Sequence, residues 1–164
     1  LHTKGSHFLY SNRYPRSFAR WQPECISIDT PCSKEELFNA YDNSMLYTDH
    51  FLAQVIDVLK PHRALMVYAS DHGESIDEHQ HFHATPRAQA PPEQRQVPII
   101  FWGSDLLKQS PALHSAWAAL AQRAKQSKPL MVGHYHLFPS MLSCAGVQSP
   151  DGGINPSLDL CAQP

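Results

Sequence analysis

The sequence lacks the features that carry a chain into a membrane or onto a nucleic acid. None of its apolar runs approaches the ~20 residues that a membrane-spanning helix needs, so these 164 residues are expected to lie outside the bilayer. Charged residues make up 17%, the net charge is −2 and there is no long basic run. Binding to nucleic acid by phosphate neutralisation is therefore not expected. Hydrophobic residues, at 42%, predict a folded domain with a core.

The sequence also lacks the Cys-x-x-Cys spacing that is typical of structural zinc sites. The four cysteines form two pairs that are close in sequence, Cys25 with Cys32 and Cys144 with Cys161. An even count in a proline-rich chain is compatible with disulfides and an oxidising compartment. Four reduced thiols, two of them buried, are the alternative that the spacing leaves open.

Helices and strands are expected to alternate along the chain. Ser33 and Glu36 form a capping box, and the helix that they begin should end at Lys60-Pro61. Two unbroken apolar runs, at 64–70 and 97–103, are typical of strands buried on both faces. Later helices are expected from Ser110-Pro111 to about residue 125 and over 137–145. The fold class is therefore predicted to be α/β, with a largely parallel sheet flanked by helices.

The eleven histidines are the outlier of the composition. Asp71 and His72 follow the strand predicted at 64–70, in the stretch "SDHGESIDEHQHFHA". Functional loops of parallel sheets lie beyond the carboxyl ends of strands, and a carboxylate beside an imidazole is a ligand pair that suits zinc. The alternative is an aspartate that caps a turn beside an exposed histidine.

Further histidines could complete such a site. His79, His81 and His83 alternate, so an extended segment would place them on one face, although such tracts also bind metals adventitiously. His2 and His7 lie beyond another predicted strand end. If the sheet gathers these ends, the histidines would converge on the Asp-His pair, and this convergence is the main hypothesis.

Several blocks of the sequence resemble one known family. In chain order they are "LHTKGSH", "NRYP", "CSKEELFNAYDNSMLYTDHFLAQVIDVL", "VYASDHGES", a downstream histidine and "QVPIIFW". Together they resemble the catalytic domain of the lipid A phosphoethanolamine transferases, inner-membrane enzymes of the alkaline phosphatase/sulfatase superfamily that are associated with polymyxin resistance. "GHYHLFPSMLSCAGV" is similar to a C-terminal helix motif of sulfatases. The resemblance covers residues 1 to about 147.

The resemblance implies roles for five residues. Asp71 and His72 match ligands of the catalytic zinc. His7 and His83 match histidines that bind a second zinc or the donor phosphate, and His2 matches a histidine near the phosphoethanolamine site.

Among the three alternating histidines, His83 is the best match because it follows a single hydrophobic residue, Phe82. The resemblance also implies that Cys25 and Cys32 form a disulfide.

The implied reaction transfers phosphoethanolamine from phosphatidylethanolamine to lipid A, or to a core sugar of lipopolysaccharide, through a threonine-bound intermediate. No threonine of this chain lies in the matching motif, so the nucleophile, a further zinc-binding glutamate and the membrane helices are expected to precede it. Residues 1–164 are thus expected to be the C-terminal portion of a periplasmic catalytic domain, inactive alone. The alternatives are another sulfatase or phosphodiesterase of the superfamily, and an inactive truncated metal-binding fragment.

Overall fold

The computed structural model describes residues 1–27, 29–77, 80–126 and 132–162. Their contacts divide the chain into two compact units. The first consists of Leu1–Ile56 and Ser70–Pro98, and the second of Asp57–Ala69 and Ile99–Pro164.

Short strands and helices follow one another along the chain. The helices are α1 (Lys34–Leu59), α2 (Pro92–Arg95), α3 (Asp105–Lys108), α4 (His114–Ala124) and α5 (Leu137–Cys144). The strands are β1 (Leu65–Ala69), β2 (Ser75–Asp77), β3 (Gln80–Phe82) and β4 (Ile99–Gly103). Within the described ranges, none of the helices combines the length and the apolar character needed to cross a membrane.

The long helix α1 begins and ends where the sequence predicts. The backbone N–H of Ser33 donates to Glu36 Oε2 at 2.7 Å, and the N–H of Glu36 donates to Ser33 Oγ at 3.2 Å. This reciprocal pair satisfies two N–H groups that a helix start leaves without helical partners. The helix ends before Pro61, which has no N–H and disfavours helical geometry at Lys60.

The core of the first unit forms where α1 meets the N-terminal loop. Tyr10, Cys25, Leu37 and Ala40 are at most 2% exposed. Leu37 and Ala40 lie three residues apart on one helix face, so both turn toward the loop. Tyr10 is therefore held in place by the packing of this core.

Asn43 ties the N-terminal loop to α1 from inside the protein. It is wholly buried, and its Oδ1 accepts from the backbone N–H of Arg20 at 2.9 Å and of Trp21 at 3.0 Å. Its Nδ2 donates to the carbonyl of Trp21 at 3.0 Å. Nearby, the Tyr14 hydroxyl donates to Glu24 Oε2 at 2.5 Å. The asparagine of the "YDNS" block therefore holds the chain at Arg20 and Trp21 against α1.

Both cysteine pairs are bonded. Cys25–Cys32 lies in the first unit and Cys144–Cys161 in the second, each with a Cα–Cα distance of 5.6 Å. This separation is usual for disulfides. The predicted pairing is confirmed, and the alternative of four reduced thiols is wrong.

The sheet of the second unit differs from the expected parallel arrangement. β1 and β4 pair antiparallel, from Leu65 opposite Gly103 to Ala69 opposite Ile99. Parallel neighbours need a crossover, usually a helix of several turns. Between β1 and β4 the described residues form the antiparallel β2–β3 pair and the short α2. The predicted mixture of helices and strands is confirmed, but the parallel pairing is wrong for these two strands.

The burial of these strands was also overestimated. Every residue of β1 is partly exposed, and Ile100 of β4 is 39% exposed. An apolar run indicates burial, but the two strands of this sheet enclose too little surface to bury both faces.

The last helices follow the predictions in part. Helix α4 begins at His114 instead of Pro111, because the N–H groups of Leu113 and His114 both return to the carbonyl of Ser110 in a turn. Helix α5 stops before Gly146, whose φ of +83° is a left-handed conformation that glycine adopts readily. The predicted end of the last helix is confirmed.

We expect Asn43→Ala to lower the free energy of unfolding of the complete protein by roughly 2–4 kcal/mol, because it removes a buried side chain and its three bonds to the backbone of Arg20 and Trp21. The measurement is chemical denaturation. Asn39→Ala is the matched control on the same helix, since within the described ranges Asn39 makes one side-chain bond, to the carbonyl of Pro23 at 2.8 Å. Equal losses in the two variants would contradict this role of Asn43.

Candidate active site

The candidate site begins with the loop that carries the Asp-His pair. Gly73 lies so close to α2 that a Cβ atom at this position would stand 2.0 Å from the carbonyl oxygen of Glu93. The N–H of Gly73 donates to the carbonyl of Gln94 at 3.1 Å. Glycine is therefore required by this close approach of two backbones.

Gln94 braces the loop with its side chain. It is 6% exposed; its Nε2 donates to Ser75 Oγ at 3.1 Å, and its Oε1 accepts from the N–H of Thr85 at 3.3 Å. One glutamine thus links the segment after His72 to the segment after His83. No sequence pattern identifies Gln94 as important, because a glutamine between prolines has the composition of a polar linker.

The β2–β3 pairing brings the two parts of the histidine-rich stretch together. Ser75 of β2 lies opposite Phe82 of β3, so the residues just outside the pair, Glu74 and His83, become neighbours. Glu74 Oε1 lies 3.2 Å from His83 Nδ1. The register of this antiparallel pair explains why His83 meets the loop of the Asp-His pair.

Two of the predicted histidines, His7 and His72, lie around a third, His83. The ring of His72 stacks on that of His83, with centroids 4.4 Å apart and an interplanar angle of 17°. The ring of His7 lies with its centroid 6.0 Å from that of His83 at 64°. Residues 76 positions apart in the sequence therefore share one surface, which agrees with the predicted convergence for these three.

The three rings share one pattern of hydrogen bonding. In each, Nδ1 lies within hydrogen-bonding distance of a carbonyl or carboxylate oxygen, an arrangement that favours the tautomer with hydrogen on Nδ1. In a neutral ring this leaves the lone pair on Nε2, the nitrogen that a metal or an acid proton would occupy. The pairs are His7 with the carbonyl of Phe8 at 2.6 Å, His72 with the carbonyl of Gly73 at 2.9 Å, and His83 with Glu74 Oε1 at 3.2 Å.

Glu74 connects this cluster to the core. Its side chain is 7% exposed, and its Oε2 accepts from the Tyr10 hydroxyl at 2.5 Å. Burial and this hydrogen bond both raise the pKa of the Tyr10 phenol well above its ordinary value of about 10. The phenol therefore stays protonated and donates to Glu74 at any physiological pH.

The backbone at His7 is also held in place. Arg13 donates from Nε to the carbonyl of His7 at 2.7 Å and from Nη2 to the carbonyl of Phe8 at 2.9 Å. The arginine of the "NRYP" block thus fixes the turn that presents His7.

Asp71 and His2 are less engaged than the other predicted residues. The Asp71 side chain is 84% exposed, and its Oδ1 lies 3.1 Å from the N–H and 4.0 Å from Nε2 of His72. His2 is exposed and has no hydrogen bond or ring contact with the residues that the structure describes. Asp71 therefore borders the cluster, whereas no contact among the described residues joins His2 to it.

The donor chemistry suits zinc, although the described residues supply only part of a ligand set. Asp71 and His72 offer a carboxylate oxygen and an imidazole nitrogen, the donor types that zinc prefers. In the described ranges, no three histidine, cysteine, aspartate or glutamate side chains lie close enough to hold one ion. His79 and the side chain of His81 lie outside the described residues. The predicted metal and catalytic roles stay predictions.

Comparison with known proteins identifies the class of protein. The Sulfatase family model matches residues 1–147, so the chain belongs to the sulfatase family. Within it, the resemblance to lipid A phosphoethanolamine transferases that the sequence blocks indicated is confirmed by the relatives. The Kdo(2)-lipid A phosphoethanolamine 7''-transferase of Escherichia coli (strain K12) is 49% identical over 164 residues, which are 100% of this chain and 29% of that protein.

Two other relatives carry related names. The phosphoethanolamine transferase EptA of Salmonella typhimurium (strain LT2) is 37% identical over 156 residues, 91% of this chain and 28% of that protein. The phosphatidylethanolamine transferase Mcr-1 of Escherichia coli is 44% identical over 109 residues, 62% of this chain and 20% of that protein. The chain thus spans less than a third of the length of these relatives.

We expect Gln94→Ala to loosen the candidate site without unfolding the protein. The loss of the bonds to Ser75 and Thr85 should cost about 1–3 kcal/mol, and the amide of Thr85 should exchange with solvent faster. Amide hydrogen exchange is the measurement. Gln96→Ala, two residues along at an exposed position, is the control and should leave that amide unchanged. Unchanged exchange at Thr85 in Gln94→Ala would refute the bracing role.

Proposed function

We propose that the protein to which this chain belongs transfers phosphoethanolamine from phosphatidylethanolamine to lipid A, or to a core sugar of lipopolysaccharide, with zinc as cofactor. The observation that carries this proposal is the cluster of His7, His72 and His83, in which each Nδ1 lies beside an oxygen and no Nε2 forms a hydrogen bond with the described residues. The family match and the names of the relatives support the same reaction class.

The predicted ligands of the catalytic zinc are Asp71 and His72, completed by residues from outside this chain. When bound, zinc polarises a phosphoryl oxygen and favours the deprotonated form of an attacking hydroxyl. His7 and His83 have two uses that their geometry permits. A neutral ring offers its Nε2 lone pair to a second zinc, and a protonated ring donates Nε2–H to a phosphoryl oxygen.

The reaction we propose has two displacements at phosphorus. A threonine oxygen, outside these 164 residues, forms a bond to the phosphorus of phosphatidylethanolamine, and the bond to the diacylglycerol oxygen breaks. A proton passes to that oxygen, and diacylglycerol leaves. A phosphate or hydroxyl oxygen of the acceptor then bonds to phosphorus, and the threonine oxygen leaves and regains a proton.

The histidines stabilise the charge that these displacements build. His7 and His83 face the transferring group and counter the negative charge on its oxygens. His2 is the proposed proton donor or donor-site contact. Each of these proposed roles can be tested by substituting one histidine at a time.

The proposed location is the inner membrane, with this part of the protein in the periplasm. The two disulfides support this location, because such bonds persist in the oxidising periplasm and are rare in the reducing cytoplasm. Membrane attachment would come from outside this chain. Modification of lipid A in this way would lower its negative charge and reduce the binding of polymyxin.

We expect Asp71→Ala in the complete protein to lower transfer from a fluorescent phosphatidylethanolamine by at least about 100-fold and to lower the zinc content, because a metal-ligand carboxylate is lost. Asp57→Ala is the control: Asp57 is also exposed and pairs only with Lys60 among the described residues, so its loss should leave both quantities unchanged. Wild-type transfer and zinc content in Asp71→Ala would overturn the assignment. Turnover of an aryl sulfate in place of the lipid would instead favour a sulfatase.

A further inference from the structure

Two buried tyrosines of the first unit make the same hydrogen bond. Tyr10 donates to Glu74 and Tyr14 donates to Glu24, each at 2.5 Å. Tyr10 is 0% exposed and Tyr14 is 7% exposed. The two pairs differ in the other hydrogen-bond partners of the glutamate. Glu24 also bonds to groups of the N-terminal loop and α1, whereas Glu74 also bonds to a histidine of the candidate site.

The route from Tyr10 to the histidine cluster is short and continuous. The hydroxyl donates to Glu74 Oε2, and the other oxygen of that carboxylate, Oε1, accepts from His83 Nδ1 at 3.2 Å. A carboxylate that is bonded on both oxygens has little freedom to rotate. The plane of the His83 ring and the position of its hydrogen are therefore coupled to the position of the Tyr10 hydroxyl.

The core of the unit fixes the tyrosine ring. Phe8 and Tyr41 contact it edge to face, with centroids 5.5 Å and 5.2 Å away and interplanar angles of 86° and 77°. Such aromatic contacts define the orientation of a ring as well as bury it. Tyr10 therefore supplies a rigid donor from the core to the more exposed histidines.

We propose that Tyr10 is a positioning residue of the transfer site, which holds Glu74 so that Glu74 orients His83 and directs its Nε2 to the transferring phosphate or its metal. This inference rests on the proposed function. Tyr10 itself does not touch the reacting atoms, because Glu74 lies between it and His83. Outer groups of this kind commonly change activity or metal affinity by roughly 10- to 100-fold when they are removed.

The first test compares Tyr10→Phe with Tyr14→Phe in the complete protein. Both variants keep the ring and remove one buried hydroxyl that bonds a glutamate, so a merely structural role predicts similar losses of thermal stability and similar activities. We expect only Tyr10→Phe to lower kcat for transfer, by roughly tenfold or more, with less than about a twofold change in KM. Equal activity of the two variants, with both folded by thermal unfolding, would overturn the proposal.

The second test does not depend on activity. Nitrogen NMR of isotope-labelled histidine reports which ring nitrogen of His83 carries the hydrogen, with His83→Gln used to assign the signal. In metal-free protein we expect hydrogen on Nδ1 in the parent and in Tyr14→Phe, and a mixture of the two tautomers in Tyr10→Phe. An unchanged His83 signal in Tyr10→Phe would contradict the inference even if activity fell.

A double-mutant cycle tests whether Tyr10 acts through Glu74. We expect Tyr10→Phe to have little additional effect on kcat when Glu74→Gln is already present, because the route is then already broken. If the double variant instead lost kcat by the product of the two single losses, Tyr10 would act by a path that does not include Glu74. If the parent protein transfers no phosphoethanolamine, the proposed function fails, while the NMR comparison still decides whether Tyr10 positions His83.

Discussion

The candidate site depends on one buried carboxylate. Glu74 receives a hydroxyl from the core on one oxygen and an imidazole N–H on the other, so it couples a rigid part of the first unit to side chains that must meet a substrate. Burying a carboxylate is costly unless charge-assisted hydrogen bonds offset the loss of water. Both bonds are present here, and the cost of burial is thus offset by contacts that also determine the geometry of His83.

Other buried polar side chains of this unit also hold distant segments in place by hydrogen bonds. Asn43 and Gln94 are both buried amides whose side chains bond to the backbone of distant segments. Each satisfies groups that irregular chain would otherwise leave unpaired in the interior. A region with few strands can position three histidines in this way, because specific polar bonds take over the role that a large sheet plays in other folds.

Particular residues show how far the sequence alone could lead. Ser33, Glu36 and Pro61 mark the ends of α1 by local chemistry, so that helix was predictable. The Cys25–Cys32 disulfide was predictable from the resemblance, whereas the spacing of the cysteines left the pairing of Cys144 with Cys161 open. The direction of β4 relative to β1 was not, because apolar runs report burial and carry no information on strand direction.

The residues of the candidate site also fall into those that the sequence identified and those that it did not. The motif blocks pointed to Asp71, His72, His7 and His83. The rings of His7 and His72 both lie beside that of His83. The predicted place of His2 among them stays a prediction, since none of the described contacts involves its side chain. Gln94 and Tyr10 left no signal, because their importance arises from bonds to residues 9 and 64 positions away, and sequence patterns describe only near neighbours.

The central claim is that hydrogen bonding at Nδ1 prepares three imidazoles to bind through Nε2. Nitrogen NMR of the metal-free complete protein, with histidine labelled and His7, His72 and His83 assigned by single substitutions, measures this directly. The account predicts that all three neutral rings carry hydrogen on Nδ1 and that added zinc shifts Nε2 in at least His72. Hydrogen on Nε2 in these rings, with no response to zinc, would contradict it.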